Sequence, residues 1–165
     1  MTKFISDKIK MRTNARLASV QATYMIDFGQ LSVDQVIKDF IDGSVGRQMI
    51  VEDELTMEEE DVEVGEFDTN YFATLVRAVH ASKEGVEKSI ALYLNEKWPW
   101  DRMDGTLKAL LLCAVYEIIN NLEVDVKVLI QEYVDLAYAF FSKSEPKMVN
   151  ALLDQIAKEA RVAGN

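Results

Sequence analysis

Proline and glycine are scarce in this chain, 2 and 7 of 165 residues. Few turns are forced on such a backbone, which favours long helices over many short strands. A single cysteine, Cys113, excludes a disulfide within the chain and suits a reducing cytoplasm. The strongest apolar run, Ala109 to Tyr116, is far short of the roughly 20 residues that span a bilayer. The first residues, Met1 to Lys8, lack the apolar core of a signal peptide. A soluble cytoplasmic protein with no membrane association is expected. The only histidine, His80, has no cysteine nearby and reads as a helix-surface or boundary residue rather than a metal ligand. Gly43-Ser44-Val45-Gly46 is not followed by the Gly-Lys-Ser/Thr of a phosphate-binding loop, and no serine sits in a nucleophile motif. Neither an enzyme nor a cofactor is expected.

What is present is an ordinary globular balance, 49% hydrophobic and 28% charged, in a length that fits one domain or two small subdomains sharing a core. The net charge is −10. Ten acidic residues fall between Gln48 and Val76 with no Lys or Arg among them; taking those ten from 28 leaves 18 acids against 18 bases, so the rest of the chain is neutral. The N-terminus is basic, with Lys3, Lys8, Lys10, Arg12 and Arg16 against Asp7 alone. Screening confines charge effects to about 8 Å at physiological salt, so a local basic patch can bind phosphate whatever the total charge.

Apolar spacing predicts six helices. The first covers residues 8 to 28 with Leu17, Val20, Tyr24 and Phe28 in its stripe, and Arg12 and Arg16 on one face offset from it. Ser32-Val33-Asp34-Gln35 is a capping-box pattern that starts the second, and Gly43 to Gly46 ends it. The acid run in residues 47 to 67 lacks opposite charges and is expected to be mostly irregular, although its Glu and Met content would also suit a helical extension. Asp68-Thr69 is a plausible N-cap for a third helix over residues 70 to 97, ended by Trp98-Pro99-Trp100. Residues 104 to 121 form a fourth, apolar on nearly every side and therefore central. The fifth covers residues 126 to 141, and Ser144-Glu145-Pro146 starts the sixth, which frays after Arg161. No alternating pattern is long enough to predict a sheet.

Cys113, inside the apolar helix, reads as a buried thiol. Glu117 and Glu132 read as partners for buried polar groups, with a catalytic role as the alternative. Asn150 reads as a bond across to a neighbouring helix. Arg12 and Arg16 suit phosphate contacts. Gln21 can read a base edge, and Tyr24 either stacks on an unpaired base or belongs to the core.

The order and spacing of several segments resemble the NusB family. These are Arg12-Thr13-Asn14-Ala15-Arg16 running on to Gln21 and Tyr24, Asp68-Thr69-Asn70-Tyr71-Phe72, Trp98-Pro99-Trp100-Asp101-Arg102-Met103-Asp104, Leu107 to Leu111, and Ala114-Val115-Tyr116-Glu117. At the C-terminal end come Lys127 to Ala137 and Glu145 to Asp154. The resemblance implies an all-α fold over residues 1–165, with an N-terminal helical subdomain at about 8–67, its acidic segment at 47–67, and a C-terminal one at about 68–162. It also implies a transcription antitermination factor that, with the ribosomal protein NusE, binds the single-stranded boxA signal and joins the RNA polymerase antitermination complex on ribosomal RNA operons. Arg12, Arg16, Gln21, Tyr24, Lys147 and Met148 would touch RNA, and Asp101 and Lys127 the protein partner. The chain departs from the family where arginines give way to Thr13 and Asn14, where Met148 replaces a frequent Phe, and where Asp125 stands for the usual Pro. The alternative is an acidic protein-interaction module, a homodimer or NusE binder, with weak or no RNA binding.

Overall fold

The computed structural model describes residues 2–43, 48–52, 59–63, 65–142 and 144–163. The fold class is all-α. Helices α1 (Thr2–Gly29), α2 (Val33–Asp42), α3 (Thr69–Ala91), α4 (Gly105–Asn120), α5 (Val126–Phe140) and α6 (Glu145–Ala163) are accompanied by a 3-10 turn at Trp100–Arg102 and a ribbon of β1 (Gln48–Glu52) and β2 (Glu59–Glu63). Two compact units divide within α3: residues 1–78, and Val79–Asn165.

In the first unit, α2 lays Val36, Ile37 and Phe40 into a core that also holds Ala15, Ala18, Val20 and Ala22 of α1. Phe72 centres it, with Phe40 stacked at 5.4 Å and Phe67 edge-on at 5.2 Å between ring centroids. The α2 boundaries follow from local chemistry. Ser32 Oγ accepts the N–H of Gln35 at 3.4 Å, as the capping pattern predicts. The reciprocal half of the box is not made, because the Gln35 amide donates to Asp39 at 2.8 Å instead. Gly43, with φ of 78°, closes the helix in the left-handed conformation; residues 44 to 46 lie outside the described residues.

Three expectations are corrected here. Helix α1 starts at Thr2, not near residue 8. The segment expected to be irregular contains the antiparallel ribbon, in register from Gln48 opposite Glu63 to Glu52 opposite Glu59. Met49-Ile50-Val51 has the β-prone character that supports it, and backbone pairing outweighs the charge repulsion on which the irregular reading rested; the intervening 53–58 lie outside the described residues. Helix α3 ends at Ala91, not Lys97. Asn95 is the reason: its side chain accepts from Lys97 N at 2.9 Å and its carbonyl from Trp98 N at 3.1 Å, an Asx turn that competes with the helix.

The second unit is built around α4, which buries Leu107, Ala109 to Val115 and Ile118, Cys113 included. Helices α5 and α6 pack on it and on each other. Asp104 caps α4 by accepting from Thr106 N at 2.8 Å and Leu107 N at 3.3 Å. Asp125, where the family resemblance expects proline, caps α5 by accepting from Lys127 N at 2.8 Å. Glu117 is a buried carboxylate with neutral side chains among its partners: Tyr133 Oη donates to one oxygen and Asn121 Nδ2 to the other at 3.0 Å. Tyr93 Oη donates to Glu159, and that bond to a carboxylate raises the phenol pKa above its ordinary value. His80 lies exposed on α3. Asn150 is exposed on α6 rather than buried against a neighbour. No helix among the described residues is long and apolar enough to cross a membrane.

Arg161 joins the far end of α6 to the end of α4. Its guanidinium donates to the carbonyls of Ile118 at 2.8 Å, Asn121 at 3.0 Å and Val124 at 3.3 Å. The Ile118 carbonyl is one that the end of α4 leaves without an intrahelical partner, at the negative end of its dipole, and Asn121 and Val124 belong to the cap and turn that follow. Arg161→Ala is expected to lower stability by roughly 2 to 4 kcal/mol, since hydrogen bonds to charged groups contribute about 1.5–3 kcal/mol each and water replaces part of the loss. The midpoint of urea unfolding should fall with little change in its slope. Gly85, mid-helix in α3, has nothing within 4 Å of where a Cβ would stand. Gly85→Ala should raise stability by about 0.5–1 kcal/mol in the same measurement, through the lower helical cost of alanine.

Candidate nucleic-acid interface

The first unit brings two of the α1 candidates, Arg12 and Arg16, against one aromatic ring. Asp68 starts α3, its Oδ1 accepting the N–H of Tyr71 at 3.0 Å, and this orients Tyr71 one turn into the helix. The Asp68 backbone N–H in turn donates to the Met11 carbonyl of α1 at 3.2 Å. Tyr71 thus lies beside both arginines of α1. The guanidinium carbon of Arg12 is 5.0 Å, and that of Arg16 5.1 Å, from the centre of its ring.

The two arginines do different things there. Arg16 is only 3% exposed, and its Nη2 donates to Tyr71 Oη at 2.8 Å. It is a buried structural cation whose nitrogens are directed at protein. Arg12 is half-buried, with a side chain 39% exposed and Nε 3.9 Å from Asp68 Oδ2. That separation is an ion pair without a hydrogen bond, and Arg12 Nε is buried without a hydrogen-bond partner. Arg12 is therefore held by the ring and by a nearby charge, with part of its side chain exposed; Lys8, one helical turn earlier, and Lys10 are also exposed.

Gln21 is buried, and its amide nitrogen Nε2 also lacks a hydrogen-bond partner. Buried polar atoms without partners are uncommon in folded proteins. Among the described residues such side-chain atoms occur at Arg12, Gln21 and Glu145, and the first two are α1 candidates. Tyr24 is exposed and stacks on Phe28 at 4.9 Å with an interplanar angle of 19°. Of the two readings open for Tyr24, core or surface platform, the structure has it on the surface, and Phe28, placed in the same apolar stripe, is exposed beside it.

The remaining candidates belong to the second unit. Lys147 is exposed and Met148 half-buried in the first turn of α6. Asp101 is exposed in the 3-10 turn, and Lys127 is exposed in the first turn of α5. Among the described residues no group of three or more His, Cys, Asp or Glu side chains could hold a metal ion.

Two positions where the family resemblance expects arginine have local explanations. Asn14 Nδ2 donates to the Glu66 carbonyl at 2.8 Å, tying the segment that leads into α3 onto α1. Thr13 Oγ1 donates back to the Ile9 carbonyl at 3.1 Å within α1. Both side chains serve the fold where an arginine would reach outward. Tyr71 is the residue sequence reasoning missed. It was quoted only as part of a segment, and the signal for it was its position three residues after the capping Asp68, facing a helix that carries two arginines.

These features define a class: an all-helical protein whose first helix carries basic and aromatic groups seated on the start of a third. Comparison with known proteins narrows it. The model of the NusB family matches residues 13–158. A transcription antitermination protein NusB of Rhodospirillum rubrum is 42% identical over 153 residues, covering 89% of this chain and 83% of that protein. One of Sinorhizobium medicae is 33% identical over 165 residues, covering 98% and 97%. In fold, the chain is similar to NusB of T. maritima, with a TM-score of 0.70 at 22% identity over 90% of this chain and 91% of that one. The chain belongs to the NusB family.

The contrast between the two arginines is measurable in the protein alone. Arg16→Ala removes a buried charge-assisted bond and leaves Tyr71 without that partner, and should cost roughly 2 to 4 kcal/mol in urea unfolding. Arg12→Ala removes an exposed ion pair and an exposed ring contact and should cost no more than about 1 kcal/mol. Equal costs would mean that Arg12 is as structural as Arg16.

Proposed function

We propose that this protein is a cytoplasmic transcription antitermination factor that binds a boxA-type single-stranded RNA together with NusE, as a non-enzymatic adaptor to the transcribing RNA polymerase on ribosomal RNA operons. The observation that carries the reading is membership of the NusB family over residues 13–158, a span that includes Arg16, Gln21, Tyr24, Tyr71 and Met148. The geometry of α1 supports it chemically. Arg12, with Lys8 and Lys10, offers cations to phosphate oxygens, and Tyr24 with Phe28 offers an exposed aromatic face on which a base can stack. Lys147 and Met148 would contribute from α6, with Asp101 and Lys127 on the side of the protein partner. Arg16 and Gln21 act from beneath the surface, Arg16 through Tyr71.

The second reading, a partner-binding module with weak or absent RNA binding, draws on one observation: the burial of Arg16 leaves α1 with fewer outward cations than its sequence suggests.

A fluorescent boxA-like RNA titrated with this protein, with and without NusE, across a salt series separates the two. The adaptor reading expects salt-sensitive binding that tightens with NusE, and a slope that falls by about 0.7 in Arg12→Ala, the share of one phosphate contact on a single strand. Binding of NusE with no RNA bound at any salt would leave the partner-binding reading standing.

A further inference from the structure

We infer that Tyr71 is a positioning residue for RNA binding: its ring is the platform that holds the Arg12 guanidinium ready for a phosphate, and Arg16 fixes that ring from beneath. The inference rests on the proposed function and adds a residue that the α1 sequence pattern does not contain.

Three observations converge on it. Tyr71 is anchored at both ends, its backbone N–H on Asp68 Oδ1 at 3.0 Å and its hydroxyl on Arg16 Nη2 at 2.8 Å. With the hydroxyl held by a side chain that is 3% exposed, the ring has little freedom to turn. Arg12 rests over that ring at 5.0 Å while lacking a hydrogen bond at Nε, and the carboxylate of Asp68 stands off from Nε at 3.9 Å. A cation–π contact takes up no N–H donor, so the guanidinium nitrogens of Arg12 beyond the buried Nε stay available to another acceptor. A planar fork fixed in advance suits a phosphate, since fewer rotamers are lost on binding. Asp68, at 3.9 Å, is a counter-charge that holds Arg12 near the ring without a hydrogen bond at Nε, and a phosphate oxygen that reaches hydrogen-bond distance of the other guanidinium nitrogens makes the closer contact.

A double-mutant cycle tests the inference. In the full-length protein with boxA-like RNA, Tyr71→Leu should weaken binding roughly 2- to 5-fold, the worth of an exposed cation–π contact, and lower the salt slope toward that of Arg12→Ala. In an Arg12→Ala background Tyr71→Leu should have no further effect, because Tyr71 acts through Arg12. Tyr71→Phe keeps the ring but removes its bond to Arg16, and should fall between the wild type and Tyr71→Leu in affinity. In the unmodified protein, the NMR resonance of the Arg12 Hε proton should be displaced upfield by the ring current. Equal losses from Tyr71→Leu in both backgrounds would overturn the inference, as would an undisplaced Arg12 Hε even if Tyr71→Leu failed to fold. Absence of RNA binding by the wild type would defeat the proposed function and this inference with it. RNA binding that depends on Arg12 but not on Tyr71 would defeat this inference alone.

Discussion

The N-terminal unit depends on a single carboxylate. Asp68 caps α3 with one oxygen and faces Arg12 with the other, while its backbone N–H is bonded to Met11 of α1. Each attachment is modest, about 0.5–2 kcal/mol for a helix cap and no more than about 1 kcal/mol for an exposed ion pair. They matter together because they fix a geometry. Once α3 starts at Thr69 against α1, Phe72 meets Phe40 and Phe67, and Tyr71 meets the two arginines. Core and candidate interface are set by the same helix start, one residue apart on it.

The second unit reaches rigidity by another route. Its central helix is apolar almost throughout, so it is fixed by burial, and the few polar groups it carries inward are answered by side chains from its neighbours. Tyr133 and Asn121 bond Glu117, and Arg161 meets three carbonyls at the end of the helix and beyond. A central helix surrounded by apolar side chains has little to fix its axial position, because hydrophobic burial is non-directional. The directional bonds at Glu117 and Arg161 supply that register.

Much of the fold was legible in the sequence because two signals agree in it. The apolar period of 3.6 marks each helix, and Ser32, Asp68 and Gly43 mark boundaries through side-chain or backbone chemistry that belongs to those residues. The reading failed where a local bond competes with a periodic pattern. Asn95 ends α3 early by bonding its own downstream backbone, and the ribbon forms in a segment whose charge argued against order. At the candidate interface the residues could be named from the sequence but their depth could not. An arginine at the N-terminal end of a basic helix reads as exposed. The contrary sign was present in Ala15-Arg16-Leu17-Ala18, with Val20 four residues on, a setting in which each of these apolar neighbours is buried. Asn14 and Thr13, which look like losses of charge, are attachments of the chain to itself.

The burial of Arg16 also bears on how genetic data on this protein should be interpreted. A screen for loss of function scores a residue by phenotype, not by contact. Substitutions at Arg16, Tyr71 and Asp68 would lower the amount of folded protein and disturb the placing of Arg12 in one stroke, so all three would rank among the most sensitive positions. Arg12, more exposed than Arg16, would rank below them. Taken at face value, such a map would draw the proposed RNA footprint one layer too deep, and only abundance measured beside activity would return it to the surface.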